Sequence, residues 1–151
     1  MSAYSDYAKT VLTAAFPDRW TVDDYRIFSF GPDAGTGEVS AILDGKIAVQ
    51  IASGSYKQIR GGLLDVIWHP YDLKLLVLVD TPHHSAAKSL RQAEVIMAGS
   101  KAKGGVVRLA GTPQEPRVDV DLLAVQEFVD GLGEGVRMLD VGERWEGELV
   151  S

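Results

Sequence analysis

The chain has 151 residues, 46% hydrophobic and 24% charged, which suits one domain over residues 1–151 with a core of its own. It has no cysteine, which excludes disulfides and thiolate metal sites, and no apolar run near the ~20 residues that span a bilayer. The net charge is −6, but residues 112–151 hold ten acids against three bases, which leaves the preceding residues at +1. A nucleic-acid surface is therefore expected only in that first part, and the acidic C-terminal part, residues 112–151, reads as a solvated face. No basic segment followed by an apolar core opens the chain, so a cytoplasmic location without a membrane partner is expected.

A first helix is predicted over residues 2–16. Tyr4, Tyr7, Ala8, Val11, Leu12 and Ala15 share one face, Ser2 or Ser5 caps it, and Pro17 ends it. Residues 20–25 form a short extended approach and residues 26–30 a first strand. The glycine-rich loop at 31–37 is not followed by a helix and lacks the Gly-Lys-Ser/Thr ending of a phosphate loop. Residues 38–43 and 46–52 are apolar strands joined by Asp44-Gly45, a strong hairpin signal. A helix follows over 57–67, with Ile59, Leu63, Val66 and Ile67 on its inner face. Gly61 and Gly62 lie mid-helix, where glycine costs ~1 kcal/mol against alanine, and they predict a close approach to the sheet.

Residues 73–79, apolar except for Lys74, read as a strand covered on both sides. Residues 81–84 form a turn, and Ser85 caps a helix that runs to Met97 on an inner stripe of Ala86, Leu90, Ala93 and Met97. Residues 99–105 form a basic loop carrying Lys101 and Lys103, 106–109 a strand, and 112–116 a linker. Asp121 caps a helix over 122–129. Gly131, Gly133 and Gly135 break the chain before an apolar run at 136–141, and residues 145–150 pair as an edge strand or lie loose. The class is α/β, with a mixed central β-sheet flanked by helices on both sides.

The order helix, three strands, helix, strand, helix, strand resembles the restriction-endonuclease-like PD-(D/E)XK superfamily. The stretch that carries it is Ile47-Ala-Val-Gln-Ile-Ala-Ser-Gly-Ser-Tyr-Lys-Gln-Ile-Arg60: an apolar strand, a polar turn and the start of a helix. The resemblance covers roughly residues 5–109, as a pattern of elements. It implies a Mg²⁺ cofactor, nucleic acid as partner and phosphodiester hydrolysis, in which carboxylates hold the metal and a lysine stabilises charge. Carried over, Gln50 stands in the place of the family's Glu, Ala52 in that of its Lys, and Ser40 in that of its Asp. The motif is degenerate. Glu38 or Asp44 remains to supply a carboxylate for metal, and Lys57, at the start of the next helix, to supply the lysine. On this reading Asp44, Gln50 and Lys57 are the candidate catalytic residues. Lys57, Arg60, Lys101 and Lys103 are the candidate nucleic-acid contacts. The protein is then weakly active or inactive; the alternative is a non-catalytic interaction or regulatory module, with a homodimer as a further candidate.

Hairpin register separates these readings. A two-residue turn pairs Leu43 with Lys46 and puts Ser40 and Gln50 on opposite faces. A three-residue turn pairs Ser40 with Gln50 and Glu38 with Ala52. The Asp-Gly dipeptide favours the first and the resemblance requires the second or a bulge. Other polar residues have plainer readings. His83 and His84 are adjacent and cannot share a helix or strand face for a metal. His69 ends a helix, where it can bond the last carbonyls, and Asp65 at i−4 suggests a structural pair with it. Trp20 and Trp68 read as core or edge aromatics. Ser53 and Ser55 lack a nucleophile-elbow pattern.

Overall fold

A computed structural model of the protein describes residues 3–21, 25–81, 84–109 and 121–141. In chain order the elements are α1 (Ala3–Ala15), β1 (Trp20–Thr21), β2 (Ile27–Ser29), β3 (Thr36–Glu38), β4 (Ala41–Leu43), β5 (Ile47–Ser53), α2 (Tyr56–Trp68), β6 (Leu73–Val79), α3 (Ala87–Gly99), β7 (Lys103–Leu109), α4 (Leu122–Asp130) and β8 (Val136–Asp140). Six strands form one mixed sheet in the order β1-β4-β5-β6-β7-β8, and β2 and β3 pair separately. The pairs β1·β4 and β4·β5 are antiparallel; β5 to β8 run parallel.

The sheet separates two cores. On one face Ala8, Val11, Leu12, Ala15 and Phe16, in and just after α1, and Val125, Phe128 and Val129 of α4 cover Val49, Leu75, Val77 and Val107. On the other, Ile59, Leu63 and Val66 of α2 and Leu90, Ala93 and Met97 of α3 cover Ala48, Leu76, Leu78 and Val106. Residues 75–79 feed both cores alternately, which is why that stretch is unbroken in apolar character. The Tyr4 side chain, the Ser2 and Ser5 caps, the linker at 112–116 and the segment at 145–150 lie outside the described residues.

Three departures from the sequence reading have physical causes. Residues 26–30 do not join the main sheet. Ile27–Ser29 pairs with Thr36–Glu38 instead, and the Phe28 ring lies over Gly37, where a Cβ would sit 2.5 Å from it. The first strand of the main sheet is Trp20–Thr21, paired with Leu43 and Ile42. The basic loop at 99–105 gives its last three residues to β7. Gly104, at φ +152°, passes so close to β6 that a Cβ would meet the Lys74 carbonyl oxygen at 1.8 Å. His69 does not cap α2 with its ring. Nδ1 accepts from Tyr71 N–H (3.2 Å) and Nε2 donates to the Tyr25 carbonyl (2.6 Å). Lys74, 5% exposed, supplies the cation, its Nζ donating to the His69 carbonyl at the helix end. Burial holds the pKa of both His69 and Lys74 below its ordinary value.

A further ionic cluster ties the far ends of β6, β7 and β8. The buried Arg108 guanidinium donates from Nη2 to Asp80 Oδ2 (2.8 Å) and from Nη1 to Asp140 Oδ1 (3.1 Å). Asp80 Oδ1 also accepts from Ala86 N–H (2.8 Å), fixing the approach to α3.

Candidate functional site

The hairpin resolves the register. Asp44 and Gly45 both take positive φ, 54° and 66°, as a type I′ turn requires, and Lys46 N–H bonds back to the Leu43 carbonyl (3.1 Å). The ladder nevertheless pairs Leu43 with Ile47, Ile42 with Ala48 and Ala41 with Val49. Lys46 is the extra residue. This register leaves the lysine exposed at the turn and opposes apolar residues to apolar ones. The two-residue alternative would set Lys46 against the buried Leu43.

One step beyond Ala41, Ser40 faces Gln50. Ser40 N–H bonds to the Val49 carbonyl (2.9 Å), and Ser40 Oγ donates to Gln50 Oε1 (2.9 Å) while accepting from Ile51 N–H (2.9 Å). Gln50 Nε2 reaches the Glu38 carbonyl at 3.4 Å. Helix α2 closes over this pair at Gly62, where a Cβ would lie 3.3 Å from Ala52 Cβ and 3.5 Å from Gln50 Cγ. The predicted close approach therefore belongs to Gly62; Gly61 faces open space.

These contacts leave a cleft of about 370 Å³ at the edge of the sheet. Ser40, Gln50 and Ile51 form its floor, and Asp65 of α2, Lys9 of α1, Arg26 and Glu38 its walls. Arg26 Nη1 donates to Glu38 Oε1 (2.8 Å). Arg26 Nε is buried and has no hydrogen-bond partner among the described residues. Burial, with the nearby Glu38 charge adding to it, raises the Asp65 carboxyl above its ordinary pKa. No Asp65–His69 pair forms, since both ring nitrogens of His69 are bonded elsewhere.

This donor set does not fit Mg²⁺. A hard dication takes oxygen ligands with carboxylates among them. Gln50 offers a neutral oxygen that already accepts from Ser40, and the Glu38 carboxylate is engaged by a guanidinium that also lines the cleft. Among the described residues no three histidine, aspartate or glutamate side chains gather to hold a metal ion.

The other candidates lie apart from the cleft. Asp44 sits in the turn, ~10 Å of strand below Gln50. Its carboxylate accepts from Arg19 Nε (2.8 Å) and Nη2 (2.6 Å), and that hydrogen bonding pulls its pKa down. Lys57 and Arg60 are exposed on the first turns of α2, with Arg60 Nε bonded to the Tyr56 carbonyl (3.3 Å). Lys101 and Lys103 stand at the opposite, N-terminal end of the parallel strands, ~20 Å away along a seven-residue strand. Ser55 is the N-cap of α2 in a capping box with Gln58. Trp20 packs on the α1 side of the sheet, whereas Trp68 is exposed with its edge against Phe30. His83 lies outside the described residues.

Sequence reasoning missed Lys9, Arg26 and Asp65 as cleft residues. A signal existed for Asp65: it follows Gly62 at i+3, on the side of the helix that meets the sheet. No helix among the described residues is long and apolar enough to cross a membrane. Comparison with protein-family models, with curated proteins and with solved structures gives no match.

Proposed function

We propose that this chain is a restriction-endonuclease-like protein, related to metal-dependent phosphodiester hydrolases, whose own cleft is not hydrolytic. The observation that carries the reading is the Ser40–Gln50 pair. The two side chains bond to each other just beyond the hairpin ladder, and on this reading they stand where the superfamily has metal-binding carboxylates. The order of elements supports it in part: a helix, three antiparallel strands of the main sheet (β1, β4, β5) interrupted by the separate β2·β3 hairpin, a helix and a parallel strand. Among the described residues Asp65 has no second free carboxylate beside it, so they offer no seat for a metal that would polarise a phosphodiester or activate water. The test is incubation with plasmid and single-stranded DNA in Mg²⁺ or Mn²⁺, read on a gel; no metal-dependent cleavage is expected.

A second reading, an interaction or regulatory module that has kept the scaffold, is favoured by the separation of Lys57 and Arg60 from Lys101 and Lys103. The four do not form one cationic face. Fluorescence titration of labelled DNA at several salt concentrations distinguishes the two. Binding that weakens steeply with salt, and less steeply after Lys57→Ala/Arg60→Ala, supports retained nucleic-acid contact. No binding at low salt supports the interaction module.

A further inference from the structure

The cleft at the sheet edge carries an unmet hydrogen-bonding group. Arg26 Nε is buried and has no hydrogen-bond partner among the described residues. Two other arginines of this protein use the same group. Arg19 and Arg108 each turn the Nε–Nη2 edge of the guanidinium onto a carboxylate, Arg19 onto Asp44 (2.8 and 2.6 Å) and Arg108 onto Asp80 (3.2 and 2.8 Å). Arg26 meets Glu38 through Nη1 (2.8 Å), which leaves Nε unused. A buried donor left unbonded is costly, and water does not reach this one to repay it. The Glu38 side chain is 55% exposed, so the pair can turn to admit an oxygen.

Another wall has the converse need. Asp65 lines the same cleft from α2. Burial first, and the Glu38 charge second, disfavour its ionised form and raise its pKa. A cationic donor at this wall would relieve both effects. The floor is already satisfied: Ser40 Oγ donates to Gln50 Oε1 and accepts from Ile51 N–H, both at 2.9 Å. Two cations, Lys9 and Arg26, and two carboxylates, Glu38 and Asp65, line the cleft, so their formal charges cancel. A plain anion would be set against Asp65, and a plain cation against Arg26. A zwitterion suits both walls. The volume, about 370 Å³, is close to the ~300 Å³ at which small-molecule sites begin, so the occupant is small.

We infer that this cleft binds the zwitterionic head of a free α-amino acid, with its carboxylate on the Nε edge of Arg26 and its ammonium on Asp65. The inference rests on the reading of the cleft as one that holds no metal. The experiment titrates the full chain at neutral pH with a panel of L-α-amino acids, followed by calorimetry and by the thermal midpoint. Each amino acid is compared with its deaminated acid and its decarboxylated amine at matched ionic strength; for alanine these are propionate and ethylamine. Saturable binding of at least one amino acid is expected, about tenfold or more tighter than either fragment, the scale of one charge-assisted hydrogen bond. Arg26→Gln should remove the preference over the amine, and Asp65→Asn the preference over the acid. Arg26→Lys keeps the charge but loses the two-pronged edge, and should also weaken binding. A substitution that acted only through the fold would weaken the amino acid and its fragments alike, and circular dichroism checks that the variants are folded. No saturable binding by any amino acid, fragments that bind as tightly as the whole, or preferences unchanged in the variants overturns the inference. An uncut DNA substrate together with no amino-acid binding sinks this inference alone, whereas Mg²⁺-dependent cleavage by the wild type removes the reading beneath it.

Discussion

Adjacent glycines in α2 give opposite responses to the same substitution if the helix approaches the sheet as described. Replacing a mid-helix glycine by alanine gains ~1 kcal/mol of backbone propensity. At Gly61 a Cβ would meet nothing within 4 Å, so Gly61→Ala should keep the whole gain. In a chain of this size that raises Tm by about 2–4 °C. At Gly62 the new methyl would lie 3.3 Å from Ala52 Cβ, 3.5 Å from Gln50 Cγ and 3.7 Å from Gln50 Nε2. Ala52 has no rotamer to change, so α2 or β5 must move by a few tenths of an ångström. Gln50 can swing only by giving up Ser40. The propensity gain is offset, and Gly62→Ala should be neutral or destabilising by up to ~1 kcal/mol. Urea unfolding of both variants measures the difference. A double-mutant cycle with Ala52→Gly should recover most of the lost gain as a coupling of about 1 kcal/mol. Equal stabilisation by both alanines, with no coupling to position 52, would refute the close approach on which the cleft is built.

Arg108→Ala removes the guanidinium that the largely buried Asp80 and Asp140 carboxylates share, and should cost about 3–5 kcal/mol by denaturant unfolding. His69 has its pKa lowered by burial, so the native state takes up its proton later than the unfolded chain, whose value is 6.5. Its contribution is complete above pH 6.5 and is lost as pH falls below it, at no more than ~1.4 kcal/mol per pH unit. His69→Gln should flatten that part of a stability–pH profile. Asp65 is shifted the other way: with its folded pKa raised above 3.8, the native state binds its proton first, so this group favours folding as pH falls toward 3.8. Asp65→Asn should therefore raise stability at neutral pH and remove that contribution, read by thermal unfolding at several pH values.

The sequence was most legible where burial alone decides the outcome. Residues 57–67 and 73–79 carry their periodicity openly because one must face a sheet and the other must be covered on both sides. Residues 26–30 misled for a related reason. An alternating apolar pattern shows that a strand forms, not which sheet it joins, and here the room made by Gly37 for Phe28 decided it. Asp44-Gly45 correctly announced a turn, but the register depended on which residue Leu43 would oppose, a question of packing across the hairpin. The cleft was legible only along β4 and β5, where Ser40 and Gln50 are fixed by register. Lys9 and Asp65 arrive from α1 and α2 and Arg26 from just before β2, and apart from the spacing of Asp65 from Gly62 nothing local in the chain says that their side chains converge.

The central proposal is that the Ser40–Gln50 pair stands where related hydrolases hold a metal and does not itself bind one. Its most direct test is one cleavage assay in Mg²⁺ and Mn²⁺ that compares the wild type with Ser40→Asp/Gln50→Glu/Ala52→Lys. The account predicts an uncut substrate with the wild type and metal-dependent cleavage with the rewritten chain. Robust cleavage by the wild type, lost in Glu38→Ala, would contradict it.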